Sequence, residues 1–451
     1  MRRAVLTALL LMLWAFGANG AVACSVAQVA APGEAVRAAR AALMRIPLGE
    51  MDTSVRPDAQ LAIETTKDRI VAFVTVAMTC TERDAQPDAI QHFLAGHGDA
   101  FEDRTVHTEQ NPGRDMHGNG LSYEVARIPG HPLMLAVVAR LAIECGDDAV
   151  LLLFERQAQG WRPLLIRRAP PYREVSGAFG SYRYAVSPPD AQGRWFLATV
   201  RRPPWCTSNW SSLYYELSRP GPAAAAPHIF FRERVGVFGG YDDGVSLRAD
   251  AGRFQLVHDG GFFDAGILVR RHVETYAVDG ERVSRIAPYA FNVRDFVDEW
   301  IDAGWAEASA WTASAPGLAE LHRRLAPSNP SRPYLEQGPI LRCGPGLHQV
   351  EVDAFDMDSH GGSRRQASWY FLVRGKGPYR LESVMSAPSP VCTGPDVSAA
   401  IEAAIRAERG GPATNTHPKG ASAAVRVGAS GQRGLLSSEA TNSALTRSRR
   451  L

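Results

Sequence analysis

The chain has 451 residues, 45% of them hydrophobic and 21% charged, which excludes a wholly disordered or fibrous protein and indicates one large or two medium globular domains. The formal net charge is +2, but the body of the chain, residues 24–409, carries 41 basic against 46 acidic residues. A weakly acidic body without a basic stripe excludes nucleic acid as the expected partner.

Residues 1–23 predict a cleavable export signal. Arg2 and Arg3 form a positive start, Ala4 to Ala18 form an apolar run, and Ala21-Val22-Ala23 is a small-x-small cleavage site. The run is too short to span a bilayer comfortably as a helix, and no long apolar stretch follows it. We therefore predict an exported protein, located in the periplasm or outside the cell.

The cysteine after the cleavage site permits two interpretations. Ala21-Val22-Ala23-Cys24 resembles a bacterial lipobox, in which the cysteine thiol is lipidated, although a lipobox usually has Leu where Ala21 stands. The same residues also fit an ordinary signal-peptidase site. Both interpretations stay open, and we expect membrane association only if Cys24 carries a lipid.

An exported chain with an even number of cysteines predicts disulfide bonds. We predict that Cys343 pairs with Cys392 and Cys80 with Cys145, because each lies near the end of a predicted strand or hairpin. No Cys-x-x-Cys occurs, so a thioredoxin-like redox site and a zinc ribbon lack their first requirement.

The segment 24–120 is predicted to be a mixed α+β region. Residues 32–44 have high helix propensity, with Pro32 suited to the first turn. Ile70 to Met78 is a β-branched, apolar run that predicts a strand, and Asp88 to Leu94 predicts a short helix. A Gly- and Asn-rich loop follows around Asn111 to Gly120.

The segment 121–395 is predicted to be a β-rich domain. Short apolar runs alternate with turn sequences, including hairpins across Asp250-Ala251-Gly252 and Asp279-Gly280. The fold class is therefore mainly β, antiparallel, hairpin-rich and propeller-like, with a few short helices; two packed β-sandwich domains are the alternative.

One helix, residues 292–311, is predicted to be inserted in this domain. Apolar residues recur at helical spacing, Asn292 is a suitable N-cap, and Trp300 and Trp311 share a face that should pack on a sheet. The last segment, 396–451, is predicted to be a helical end followed by a disordered basic tail, which has no aromatic residue after Gly410.

Common catalytic signatures are absent. The chain has no Gly-x-Ser-x-Gly elbow, no His-Glu-x-x-His zinc motif and no Gly-x-x-x-x-Gly-Lys phosphate loop. We therefore predict no catalytic residue and no cofactor.

The loop after Asp353 is a candidate metal site. Asp356, Asp358 and His360 occupy alternate positions before Gly361, which resembles the opening of a calcium loop, but Ala367 stands where a bidentate Glu should close the shell. The segment therefore does not match an EF-hand, and a metal site completed by residues of other loops is the remaining hypothesis.

Two further groups are candidate ligand-binding residues. His258 and Asp264 flank a Gly-rich segment and could bind a transition metal or act as an acid/base pair if their loops meet. Trp205, Trp210 and Tyr214 are aromatic residues among small polar ones, which suits a surface that binds sugars or peptides. Aromatic packing in the core of a sheet would explain the same residues.

These observations favour an exported, non-catalytic β-scaffold that binds a ligand or an envelope protein. The alternatives are a secreted or periplasmic hydrolase that uses the Asp and His loops, and a structural component anchored by lipid through Cys24.

Overall fold

The computed structural model describes residues 26–47, 55–98, 101–102, 117–143, 146–158, 160–169, 181–202, 210–238, 245–264, 269–286, 290–313, 317–357 and 363–410. Several predictions concern residues outside these ranges, namely the export signal 1–23, Cys24, Cys145, Trp205, Asp358, His360 and the tail after residue 410. Within the described ranges, no helix is both long enough and apolar enough to cross a membrane.

The chain divides into two compact units. The first comprises residues 1–261 and 271–286, and the second comprises residues 262–270 and 287–451.

The first unit begins with three helices: α1 (Val26–Leu43), α2 (Pro57–Cys80) and α3 (Pro87–His97). The predicted helix at 32–44 is confirmed, but it starts earlier, so that Pro32 lies inside α1. The predicted strand Ile70–Met78 is wrong, because these residues belong to α2. Their buried members, among them Ile70, Phe73, Val74 and Ala77, recur at helical spacing and form one face.

Four sheets account for most of the fold. The first contains β1 (Phe101–Glu102), β2 (Gly120–Ile128), β3 (His131–Ile143), β4 (Gly146–Gln157) and β5 (Gly160–Arg168). The second contains β6 (Ser181–Val186), β7 (Leu197–Arg202), β8 (Trp210–Ala223) and β9 (Ala226–Phe238). The third contains β10 (Ser246–Asp250), β11 (Arg253–Gly261), β12 (Val269–Asp279) and β13 (Arg282–Arg285).

The fourth sheet, in the second unit, contains β14 (Tyr334–Gly344), β15 (Leu347–Met357), β16 (Ser363–Arg374) and β17 (Arg380–Met385). In every sheet, consecutive strands are neighbours, so each sheet is an up-and-down meander. Propeller blades are built in this way, whereas sandwiches commonly contain Greek-key crossings. The prediction of a mainly β, antiparallel, propeller-like fold is confirmed.

The two hairpins predicted from the turn sequences Asp250-Ala251-Gly252 and Asp279-Gly280 are also present. Asp250 pairs with Arg253 at the end of β10 and β11, and Asp279 pairs with Arg282 at the end of β12 and β13. Gly252 and Gly280 have φ angles of 70° and 59°, a left-handed conformation that glycine adopts without steric cost.

The core of the first unit lies in successive layers. The helices pack on one face of the first sheet, through residues such as Phe73 and Val137. The opposite face of that sheet, with Leu151, packs against Leu197 of the second sheet. The second sheet in turn packs its Tyr215 face against the third sheet. Because the β8 face that carries Tyr215 is buried in this way, the alternate β8 side chains face away from that layer.

The second unit also contains α4 (Val293–Asp302), α5 (Trp305–Ala310), α6 (Leu318–Leu325) and α7 (Ser398–Gly410). The N-cap prediction is confirmed, since the Asn292 side chain accepts a hydrogen bond of 2.9 Å from the Asp295 N–H. The predicted helix 292–311 is interrupted, because the chain is extended at Ala303 and Gly304. Trp300 and Trp311 are buried in the core with the fourth sheet, as predicted.

The predicted disulfide between Cys343 and Cys392 is confirmed. Disulfides persist in oxidising compartments, so this bond indicates an exported protein. Cys80 is disulfide-bonded too, but its predicted partner, Cys145, lies outside the described residues.

Candidate ligand-binding face

The side of β8 that faces away from the third sheet combines aromatic and polar residues. From Trp210 to Leu217, the odd-numbered residues Ser211, Leu213, Tyr215 and Leu217 are buried, while the even-numbered ones are exposed or half-buried. At its Ser218 end this side is covered by the first sheet, because Ser218 is buried and lies opposite Leu197 of β7. We call this side, together with the residues beside it on β7 and β9, the β8–β9 face. It comprises Arg201, Trp210, Ser212, Tyr214, Glu216, Arg232, Arg234, Gly236 and Phe238.

Tyr214 lies between two arginines at the centre of the face. Antiparallel pairing places it opposite Arg201 of β7 and Arg234 of β9. The guanidinium carbon of Arg201 is 4.8 Å from the centre of the Tyr214 ring, and that of Arg234 is 5.4 Å away. Both distances are within the range of cation–π attraction. Arg234 also donates hydrogen bonds of 3.0 Å and 2.7 Å to the Ser212 hydroxyl, which holds its guanidinium over the ring.

One carboxylate lies on this face among several cations. Glu216 forms a salt bridge with Arg167 of β5 and another with Arg232, at 3.4 Å. Burial lowers the pKa of Arg167; Tyr182 partly offsets this effect, and the like charge of Arg232 adds to it. With Arg201 and Arg234 included, four guanidiniums accompany one carboxylate, so the local charge is strongly positive although the body of the chain is weakly acidic.

An aromatic pair forms one end of the face. The rings of Trp210 and Phe238 meet edge to face, with centroids 5.0 Å apart, and Trp210 is 38% exposed. Gly236 lies between Phe238 and Arg234 on β9, and a side chain placed there would meet nothing within 4 Å. The face therefore has open space beside an exposed indole.

From Trp210 to Glu216 the face extends about 20 Å along the strand. Planar aromatic and guanidinium groups stack on flat apolar surfaces, and guanidiniums bind carboxylates through paired hydrogen bonds. The chemistry of the face is therefore that of binding an extended ligand with flat rings and negative charges. It includes no nucleophile with an adjacent base.

The structure separates the aromatic residues that lie close together in the sequence. Trp210 and Tyr214 share the β8–β9 face. Tyr215 points to the opposite side, where its hydroxyl is 2.9 Å from that of Tyr276 in the buried core. The arginines of this face could not be predicted from the sequence, because they come from β7 and β9 and only the strand pairing brings them beside Tyr214.

His258 and Asp264 fall in different units. His258 is buried in the third sheet, where its ring stacks on that of His272. Asp264 belongs to the second unit, where its carboxylate accepts a hydrogen bond of 2.8 Å from the Gln337 N–H. Their use as a pair remains a prediction.

The described part of the predicted metal loop is Asp356. It lies on β15 opposite Arg364, and its carboxylate accepts a hydrogen bond from the Gln366 side chain. Asp358 and His360 lie outside the described residues, so a metal site in this loop remains a prediction.

The second unit contains an acidic pair on β15. Burial, and next the charge of Asp353, raise the pKa of Glu351. The Tyr370 hydroxyl donates a hydrogen bond of 3.3 Å to Glu351, while Ser368 and Arg365 donate to Asp353. Two donors therefore already form hydrogen bonds with Asp353. This is typical of a carboxylate that stabilises the fold.

Comparison with known proteins identifies no family. No protein-family model and no curated protein sequence matches the chain. Among solved structures, an α-L-arabinofuranosidase from Fusarium graminearum has 7% identity and a TM-score of 0.23, covering 61% of this chain and 68% of its own. An α-L-arabinanase from Penicillium chrysogenum has 9% identity and a TM-score of 0.23, covering 60% and 67%. A levansucrase from B. megaterium has 9% identity and a TM-score of 0.13, covering 64% and 91%.

Proposed function

We propose that this protein is an exported, non-catalytic β-scaffold that binds an acidic polysaccharide on the β8–β9 face. The observation that carries the proposal is the position of Tyr214 between the guanidiniums of Arg201 and Arg234, on the same face as the exposed Trp210. Sugar rings with carboxylates offer the two features that this face complements: flat apolar surfaces and separated negative charges.

The disulfide supports the extracytoplasmic part of this proposal. It is consistent with the predicted signal at residues 1–23 and with a ligand found in the cell envelope or outside the cell. The excess of guanidiniums favours an acidic polymer over a neutral one, because binding a neutral ligand would leave their charges without a complement.

The test is binding of polygalacturonate to the purified mature protein by calorimetry. We expect Arg201→Met and Arg234→Met each to weaken binding about tenfold, equivalent to about 1.4 kcal/mol. Trp210→Ala should weaken it too, through the loss of stacking. Arg248→Met is the matched control, because Arg248 is an exposed arginine of β10 that pairs with Asp250 away from this face.

Three other ligands decide the specificity. Methyl-esterified polygalacturonate keeps the rings without the charges, poly-glutamate keeps the charges without the rings, and single-stranded DNA is a different polyanion. The proposal is wrong if any of them binds as tightly as polygalacturonate. It is also wrong in its non-catalytic part if the protein releases reducing ends from polygalacturonate.

A further inference from the structure

A cluster of titratable side chains lies on two neighbouring strands of the third sheet. His258 comes from β11, and His272 and Glu274 come from the neighbouring strand β12. The two imidazole rings are stacked, with centroids 5.0 Å apart and planes 2° from parallel. Because His272 and Glu274 are two residues apart on one strand, their side chains lie on the same side of the sheet.

These three side chains are close enough to share one ion. One ligand atom from each lies within 4.8 Å of the others, and all three residues are buried. Two ligand atoms bound to one tetrahedral zinc ion at about 2.1 Å each are about 3.4 Å apart. From a separation of up to 4.8 Å, a shift of about 0.7 Å per side chain would therefore bring them into coordination.

The surroundings of His272 fix the orientation of its ring. The Nε2 of His272 is 2.9 Å from the carbonyl oxygen of Gly261, to which it must donate a proton. In the neutral ring the lone pair is then on Nδ1, the nitrogen through which His272 would bind a metal. A backbone carbonyl that accepts from the second ring nitrogen is the usual support of a metal-binding histidine.

Glycine makes room for this ring. A side chain at Gly260 would meet Cδ2 of His272 at 2.8 Å, so the backbone of β11 packs directly against the imidazole. This close approach restricts the movement of His272.

Glu274 also has a cationic neighbour. The guanidinium of Arg285, on β13, is 2.9 Å from its carboxylate, and both side chains are buried. A metal ion and Arg285 would therefore compete for the negative charge of Glu274. This competition predicts that the site binds a dication in exchange for part of the Arg285 contact.

We propose that His258, His272 and Glu274 form a binding site for a transition-metal dication, with zinc as the best match. Two imidazoles and one carboxylate suit zinc, whereas magnesium and calcium prefer oxygen ligands throughout. Because all three residues are buried, the ion would stabilise the third sheet rather than act on a substrate in solution. The proposal does not depend on the β8–β9 face, and polysaccharide binding and metal binding are measured separately.

The experiment is zinc titration of the chelator-treated, full-length mature protein, followed by calorimetry and by the visible spectrum after cobalt substitution. We expect one ion per chain, and a cobalt spectrum typical of a nitrogen and oxygen site. His258→Gln, His272→Gln and Glu274→Gln should each abolish or strongly weaken uptake. His228→Gln is the matched control, because His228 is an exposed histidine of β9 that pairs with Glu281 at 3.0 Å and belongs to no group of three potential ligands among the described residues.

Arg285→Leu tests whether Arg285 competes with the metal ion for Glu274. It should change zinc affinity in the opposite direction to the three ligand variants. It should raise zinc affinity about tenfold, a typical size for coupling between two binding events, while it lowers the melting temperature of the metal-free protein. Failure of the wild-type protein to bind zinc, or equal uptake by His258→Gln, would overturn the proposal. A fall in affinity for Arg285→Leu would overturn the role of Glu274.

Discussion

At the scale of single residues, the interior of the second unit holds a cluster of charged side chains. Arg270 is 1% exposed, and it forms salt bridges of 2.5 Å with Asp298 and 2.8 Å with Glu299. Asp298 also accepts a hydrogen bond from the Phe263 N–H. Nothing in the local sequence of this helix predicts that an arginine 28 residues before Asp298 reaches Asp298 and Glu299.

We expect Arg270→Met to destabilise the second unit by about 3–5 kcal/mol, because it leaves two buried carboxylates without their guanidinium. The measurement is urea unfolding of the whole protein. Arg323→Met is the matched control, since Arg323 pairs with Glu320 on the exposed side of α6 and should change stability little. An equal loss in both variants would show that the buried ion pairs are not special.

At the scale of elements, α6 is held to the end of α4 by a histidine. The Nε2 of His322 donates a hydrogen bond of 3.0 Å to the Trp300 carbonyl, and its ring meets the Trp300 indole edge to face at 4.9 Å. Burial lowers the pKa of His322 from its ordinary 6.5, partly opposed by this hydrogen bond. The neutral ring therefore belongs to the folded state.

This lowered pKa predicts the direction of acid destabilisation. Below pH 6.5 the unfolded chain binds a proton more readily than the folded one, so stability is fully present above 6.5 and is lost as pH falls toward the lowered pKa. Urea midpoints followed by tryptophan fluorescence should fall over this range, and they should fall less in His322→Gln. Burial also lowers the pKa of His348, so His348 should still make the urea midpoint of this variant fall with pH. A steeper slope in His322→Gln would contradict the prediction.

The long helix α2 shows how an element was misassigned. Its second half, Ile70 to Met78, reads as a strand because β-branched and apolar residues are common there. The burial pattern of the whole helix explains the outcome. Lys67, in the middle of the buried face, forms salt bridges with Asp148 of β4 at 2.7 Å and with Glu64 at 2.6 Å. Because Lys67 is polar but buried, the hydrophobic residues alone do not show the helical spacing of this face.

At the scale of the whole molecule, the disulfide joins distant parts of the second unit. Cys343 lies at the end of β14, and Cys392 lies 49 residues later, in the segment that leads to α7. In the chain-entropy account, closing a loop of that length in the unfolded chain raises the free energy of unfolding by about 4 kcal/mol.

We expect the double variant Cys343→Ser, Cys392→Ser to lose about 2–4 kcal/mol of stability. Guanidinium unfolding under non-reducing conditions measures it, because the disulfide of Cys80 in the first unit then stays intact as an internal control. The transition of the second unit should move while that of the first stays. An unchanged midpoint for both units would show that the bond is not a stabilising one.

Several features of this protein were determined by the sequence alone, because they depend on neighbours in the chain. The Asp250-Ala251-Gly252 and Asp279-Gly280 turns set two hairpins, and Asn292 caps α4. The pairing of Cys343 with Cys392 was also predicted correctly from their positions at the ends of elements.

Only the tertiary structure decided which side chains meet. Alternation tells which face of a strand a residue occupies, but the register between strands tells what stands beside it. Thus Arg201 and Arg234 reach Tyr214, and His272 and Glu274 reach His258, through pairings between separate strands. The physical reason is that such contacts are stabilised by the packing of whole sheets, and no local sequence pattern predicts that packing.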